Sequence, residues 1–171
     1  MNIGGVQKAL VSLLQVLKDR YDITLLLFSA NGELMSEIPP EVRIAEAGGL
    51  FKYLGISQGE CSSKKDKLVR GFFAAIARSI GFKWSIKLMH ILERREKITG
   101  YDVAISYLHC AMPNSFYGGV AEYVQYYVKA KKKVCYIHCD YINSGTETQY
   151  SKSVYRKYDA IIGVSKSVAE Q

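Results

Sequence analysis

Strand-like and helix-like segments alternate through the second half of the chain, and their order constrains the fold more than any other feature. Residues 101–108, 133–139 and 160–164 are short apolar runs typical of strands. Residues 117–130 and 146–157, which lie between these runs, are helix-like. A helix between two strands returns the chain to the same end of the sheet, so such strands pair in parallel. The order predicts an α/β fold with a parallel sheet and helices on both faces.

The first half of the chain extends this pattern. A helix is predicted to follow Gly5, because leucines recur there at helical spacing, and residues 25–28 and 42–47 are strand-like. The chain has 171 residues, of which 49% are hydrophobic. This length and composition suit a sizeable core, and we expect residues 1–171 to form a single domain.

Polar side chains follow the predicted strands where parallel sheets bind ligands. His138 and Asp140 come directly after one strand, and Ser165 follows the next. The carboxyl ends of parallel strands meet at one edge of a sheet, so these three residues are candidates for a functional site. Each also has a structural alternative: a histidine bonded to a backbone carbonyl, an aspartate that forms a turn, and a serine that caps a helix.

Gly4 and Gly5 stand directly before the first predicted helix. Unpaired N–H groups and the positive end of the helix dipole converge at a helix N-terminus, and glycine leaves the backbone open to a phosphate. The alternative is an ordinary helix start or a frayed terminus. From the residues alone, both interpretations stay open.

The four cysteines, at positions 61, 110, 135 and 139, are expected to be reduced thiols. The N-terminus lacks the basic and apolar regions of a secretory signal, so a cytoplasmic location is expected. Cys135, His138 and Cys139 lie close together, but this spacing is not usual for structural zinc. In a strand, moreover, the two cysteines point to one face and His138 to the other. We therefore predict no metal site.

The net charge of +7 comes entirely from residues 64–97, which carry ten Lys or Arg and three Asp or Glu. The segment is also rich in aromatic and aliphatic residues, and two helices broken near Gly81 are predicted. A basic amphipathic surface of this kind can bind anionic lipids, which would place the protein peripherally on the inner face of the cell membrane. No nucleic-acid-binding motif accompanies it. The alternative is a pair of core helices with a charged rim, in which His90 packs rather than reacts.

Four segments occur in order along nearly the whole chain: GGVQKALVSLL, YDVAISY, KKVCYIHCDY and YRKYDAIIGVSKSVAE. Together they resemble the N-terminal half of a retaining glycosyltransferase of family 4, which has the GT-B fold. The resemblance implies a Rossmann-like domain on the acceptor side of an enzyme. Such an enzyme transfers a sugar from a nucleotide-sugar donor to a polysaccharide or lipid-linked acceptor, here in cell-surface glycan biosynthesis.

The resemblance also implies roles for individual residues. His138 matches the family's histidine near the transferred sugar and is the expected catalytic residue. Gly4 and Gly5 match the loop that approaches the donor diphosphate. The expected acceptor-binding residues are Asp140, Ser165 and Asn114, whose loop also carries His109. The nucleotide-sugar is a substrate, so no cofactor is expected.

Two departures from the family limit this assignment. Only three residues precede Gly4, where the family has a buried strand, and the chain ends shortly after Ser165, where the family continues into a second domain. We expect the first strand to be absent or the start to be placed late. We also expect this chain alone to be inactive, because a donor enclosed by two domains needs both. The expected partners are the missing C-terminal domain, the nucleotide-sugar and a glycan or glycolipid acceptor.

Two other functions stay open. A noncatalytic Rossmann-like module would bind anionic membranes or a protein partner through the basic helices of residues 64–97. A dinucleotide-binding domain of a dehydrogenase is disfavoured, because no G-x-G-x-x-G follows a predicted strand.

Overall fold

The computed structural model describes residues 4–171. The chain divides into two compact units, Met1–Ile56 and Ser57–Gln171, and each is described by itself. The expectation of one domain over the whole chain stays a prediction beside this division. The question of a strand ahead of Gly4 falls outside the described residues. Within them, no helix has the length and apolar character needed to cross a bilayer.

The first unit combines one helix with a two-stranded parallel sheet. Its helix packs against the sheet and the following loop through Leu14, which forms a small core with Ile38 and Val42. The predicted helix and both predicted strands are present, with strand bounds shifted by about one residue. The elements are α1 (Gly5–Leu17), β1 (Thr24–Leu27), β2 (Arg43–Glu46) and two 3-10 helices at Glu33–Glu37 and Gly49–Leu54.

The second unit begins with two helices, α2 (Lys64–Ile80) and α3 (Phe82–Leu92), which confirm the predicted break near Gly81. Gly81 has a φ of +100°, a conformation that glycine adopts without a steric penalty and that ends α2. At the other end of α2, the hydroxyl of Ser63 accepts the N–H of Asp66 at 3.0 Å. This side-chain cap fixes where the basic segment becomes helical.

A three-stranded parallel sheet forms the centre of the second unit, and β4 lies between β3 and β5. The helix predicted over residues 117–130 is wrong beyond Tyr127. There the chain passes directly from helix into β4, because its first residues pair with the start of β3, with Val128 opposite Ile98. The elements are β3 (Ile98–Ser106), α4 (Val120–Tyr127), β4 (Val128–Ile137), α5 (Gln149–Tyr155), β5 (Ala160–Gly163) and α6 (Lys166–Ala169).

The two faces of this sheet differ in burial. Cys135 and Ile137 of β4 lie in the main core, together with Val124 of α4 and Val154 of α5. On the opposite face, side chains such as Ile105 of β3 remain almost half exposed. The alternation of side chains along a strand therefore separates a buried face from an open, partly exposed one.

The architecture confirms the predicted fold class. The described residues form an α/β arrangement of parallel strands flanked by helices, as in a Rossmann-like fold. Its physical origin is the alternation in the sequence, since β3 and β4 are each followed by a helix that leads to the next parallel strand.

Candidate functional site

Three of the residues predicted for a site lie at one edge of the sheet in the second unit. Since β3, β4 and β5 are parallel, their carboxyl ends meet there. His138 and Asp140 follow β4, Ser165 follows β5, and the loop after β3 carries His109. We call this region the carboxyl edge. It comprises residues 107–109, 138–140 and 164–165.

His138 lies on the open face of the sheet, opposite Cys135, as the strand alternation predicts. Its ring lies 4.9 Å from that of Tyr107 and 6.0 Å from that of Tyr136, measured between centroids. The two tyrosine rings are themselves 5.0 Å apart. His138 therefore belongs to an aromatic cluster at the end of the two neighbouring strands β3 and β4.

The imidazole of His138 is neutral and has one unused nitrogen. Burial lowers its pKa below the ordinary value, and a hydrogen bond with the backbone of Tyr107 opposes this shift. Its Nε2 atom is buried and has no hydrogen-bond partner among the described residues. In a neutral imidazole one ring nitrogen accepts hydrogen bonds. Here Nε2 is a buried acceptor without a donor among the described residues.

His109 is a second neutral histidine at the carboxyl edge. Burial lowers its pKa, and electrostatic repulsion from a protonated His138 would add a smaller lowering. The Nδ1 atom of His109 is buried without a hydrogen-bond partner in the part of the chain that the structure describes. His109 and His138 are both half-buried, and each has one buried nitrogen without a partner among the described residues. This is unusual, since buried polar atoms normally find partners.

Asp140 forms a turn at the carboxyl edge. Its carboxylate accepts the backbone N–H of Asn143 at 3.0 Å and the side-chain amide of Asn143 at 2.8 Å. The side chain of Gln171 donates to it at 3.0 Å. These bonds lower the pKa of Asp140, with the Asn143 side chain as the largest cause. Asp140 therefore forms a turn, as its structural alternative predicts. A contact between Asp140 and an acceptor stays a prediction.

Ser165 caps α6, as the capping alternative predicts. Its hydroxyl accepts the N–H of Val168 at 3.3 Å. α6 is short, and Ser165 is exposed, so its hydroxyl faces solvent as well as the helix. An acceptor contact from Ser165 stays a prediction.

Gly4 and Gly5 start α1 in the first unit. Gly4 is the N-cap residue in an extended conformation, and no side chain of the described residues caps the first turn. The glycine pair therefore lies at an uncapped helix N-terminus, which is the local geometry expected from the sequence. Its contact with a donor diphosphate stays a prediction.

Asn114 lies in a groove beside α2. This α2 groove is lined by Arg70, Ala74 and Arg78 of α2 and by residues 114–117, and encloses about 330 Å³. A larger open groove of about 500 Å³ lies at the other end of β3 and β4, where Lys131 and Asp102 pair at 2.6 Å.

Two parts of this arrangement were not found from the sequence. Tyr107 and Tyr136 were not predicted as site residues, although the alternation of Tyr136 and His138 along one strand places both on the same face. Arg78 and Asn114 line the same groove because of the loop's conformation, which no spacing in the sequence predicts. Within residues 4–171, no group of three His, Cys, Asp or Glu side chains is placed to hold a metal ion.

Comparison of this chain with protein-family models, with curated proteins and with solved structures finds no match.

Proposed function

We propose that this chain is the acceptor-side domain of a GT-B glycosyltransferase, which transfers a sugar from a nucleotide-sugar to a polysaccharide or lipid-linked acceptor. The observation that carries the proposal is the unused, buried Nε2 of His138 at the carboxyl end of a central parallel strand. The four sequence segments that resemble retaining family 4 enzymes support it, as does the Rossmann-like arrangement of parallel strands.

His138 is proposed to accept a hydrogen bond from a sugar hydroxyl during transfer. A neutral acceptor nitrogen suits a hydroxyl, which can donate a hydrogen bond. It suits a phosphate oxygen less well, because the nitrogen and that oxygen would both be acceptors. Tyr107 and Tyr136 hold the imidazole in place, and their faces offer apolar surface to a sugar ring. Burial of Nε2 strengthens such a bond, since water does not compete for it.

The test uses the protein expressed from the gene segment for this chain extended by its flanking coding sequence. His138→Ala should lower turnover by roughly 10²-fold, as expected for a contact that strengthens in the transition state. The chain alone should show no turnover with a panel of nucleotide-sugars. The matched control is His90→Ala, because His90 stacks on Tyr126 at 3.7 Å in α3 and lies in no proposed site.

The melting temperature of each variant separates catalysis from folding. A His138→Ala enzyme that folds and keeps turnover within twofold of the parent would show that His138 is structural. If the extended protein transfers no sugar from any donor, the transferase proposal as a whole is contradicted.

A second candidate function is a noncatalytic module that binds anionic membranes. The observation that favours it is the set of exposed apolar side chains on α2 and α3, among lysines. Leu68 of α2 is 75% exposed and Trp84 of α3 is 46% exposed. Both candidates are compatible, since a lipid-linked acceptor would lie at such a surface.

A further inference from the structure

The α2 groove carries positive charge on a rigid wall. Arg70 and Arg78 stand two helical turns apart on the same side of α2, with Ala74 between them. The small side chain of Ala74 leaves room between the two guanidinium groups. No aspartate or glutamate is among the lining residues.

Arg70 is held in position before any ligand arrives. One terminal nitrogen donates to the backbone oxygen of Phe116 at 3.3 Å and the other to Oε1 of Gln58 at 3.2 Å. The charge of Arg70 also contributes, as a minor cause, to a lowered pKa at Glu60. These contacts fix the side chain, so less conformational entropy is lost when it binds an anion.

The facing loop is fixed to α2 by aromatic packing. The ring of Phe116 stacks on that of Phe73 of α2, with 5.8 Å between centroids. Phe73 is fully buried, so this contact anchors the loop to the helix. The loop therefore forms a second wall at a set distance from the arginines.

Several polar groups of the groove have no role within the protein. Arg78 uses only Nε, which donates to the oxygen of Ala74 at 3.4 Å, and its two terminal nitrogens make no hydrogen bond or ion pair with the described residues. The side chains of Asn114, Ser115 and Tyr117 likewise make none within residues 4–171 and line the same groove. Guanidinium, amide and hydroxyl groups around one volume suit an anion that carries neighbouring hydroxyls.

We propose that the α2 groove binds a phosphate-bearing ligand, with the phosphate between Arg70 and Arg78 and adjacent hydroxyls at Asn114, Ser115 and Tyr117. Arginine is well suited to this role, because its planar fork matches two phosphate oxygens. The volume of about 330 Å³ is at the lower end of small-molecule sites, enough for a phosphorylated monosaccharide. Assigning this phosphate to the sugar acceptor rests on the proposed function, whereas the binding itself does not.

The test is calorimetric titration of this chain with three phosphate probes and one neutral probe. Inorganic pyrophosphate and glucose 1-phosphate represent soluble phosphates, monomeric dihexanoyl phosphatidic acid represents a lipid headgroup, and glucose carries no charge. We expect the phosphate probes to bind and glucose not to bind. Tighter binding of the lipid than of glucose 1-phosphate would identify a lipid headgroup as the source of the phosphate, and the reverse order a soluble ligand.

Arg78→Gln should weaken phosphate binding by at least about tenfold, since it removes a charge-assisted bond. Asn114→Ala should weaken glucose 1-phosphate more than pyrophosphate, because only the sugar has hydroxyls for the amide. Arg156→Gln is the control, since Arg156 is an exposed arginine at the end of α5, outside the groove. Absence of phosphate binding, or equal weakening by Arg78→Gln and Arg156→Gln, would overturn the proposal. Neither result depends on transferase activity.

Discussion

Glu122 is a buried carboxyl group that belongs to neither the carboxyl edge nor the α2 groove. It lies in the first turn of α4 and is 4% exposed. Its Oε1 accepts the backbone N–H of Ala111 at 3.2 Å, while Oε2 is buried and accepts no hydrogen bond within the described residues. Burial raises the pKa of Glu122 from 4.5 to about 7, against the opposing effect of the Ala111 bond. The carboxyl group is thus partly protonated at neutral pH.

Glu122 should make the free energy of unfolding fall as pH rises from about 4.5 to about 7. In this window the folded protein holds a proton that the unfolded chain has released, so each rise in pH favours unfolding. The loss should reach on the order of 3 kcal/mol, from roughly 1.4 kcal/mol per pKa unit. Glu122→Gln should reduce this loss, because glutamine resembles the protonated acid and does not titrate.

Urea unfolding at pH 4.5, 6 and 7.5 measures this effect as the difference between parent and variant. His109 and His138 have lowered pKa values and favour folding as pH rises, but both proteins contain them, so their contribution cancels. The free energies of unfolding of parent and variant should approach each other at acid pH. At neutral pH the variant should have the higher free energy of unfolding. Parallel curves would show that Glu122 titrates normally in the folded state.

At the scale of elements, sequence periodicity predicted most helices and strands but not where α4 ends. Tyr126, Tyr127 and Val128 are residue types common in strands, but the apolar spacing of residues 117–130 favoured a helix. Pairing with the start of β3 decides in favour of the strand from Val128 onward. Tertiary contacts of this kind leave no local signal in the chain.

Some features of the candidate site were likewise predictable from the sequence, and others were not. The position of His138 at a strand end, and its face relative to Cys135, followed from strand alternation. Its unused Nε2 and its contacts with Tyr107 depend on packing between strands and were not predictable. The α2 groove needed a loop anchored by Phe116, which a helical pattern cannot reveal.

The helix pair α2 and α3, which carries the basic segment, should bind anionic vesicles. Lys83 and Lys87 lie 5.9 and 5.0 Å from the ring of Trp84, so charge and an exposed aromatic side chain share one surface. We expect cosedimentation with vesicles containing phosphatidylglycerol and not with pure phosphatidylcholine, weakened by salt. Replacing both lysines by glutamine should weaken binding by roughly 10-fold or more, at about 1 kcal/mol per charge.

The control for the vesicle experiment is the double variant Lys129→Gln and Lys157→Gln. Both lysines are exposed and lie outside α2 and α3, so the net charge changes equally. Equal weakening by the two double variants would indicate a general charge effect. Equal sedimentation of the parent with both kinds of vesicle would assign α2 and α3 to an ordinary charged rim.

At the scale of the whole molecule, the two units differ in the support that each sheet receives. Among residues 4–56 of the first unit, β1 and β2 pair only with each other, so each strand has one pairing partner there. Two-stranded sheets are marginal in water without further packing. In the second unit, β4 is hydrogen-bonded on both sides, and the buried face of the sheet belongs to the larger of the two core clusters described for the separate units.

Native-state hydrogen exchange should therefore protect β4 most strongly. The backbone of residues 134–137 lies between two strands, and the side chains of Cys135 and Ile137 belong to the main core. These amides should therefore open only in the global unfolding of the second unit. Amides of β1 and β2 should exchange through local opening at a lower free energy, because fewer buried contacts must be broken. Mass spectrometry of peptides from 24–27 and 134–137 measures the difference. Equal protection of both peptides would mean that the two units unfold as one cooperative structure.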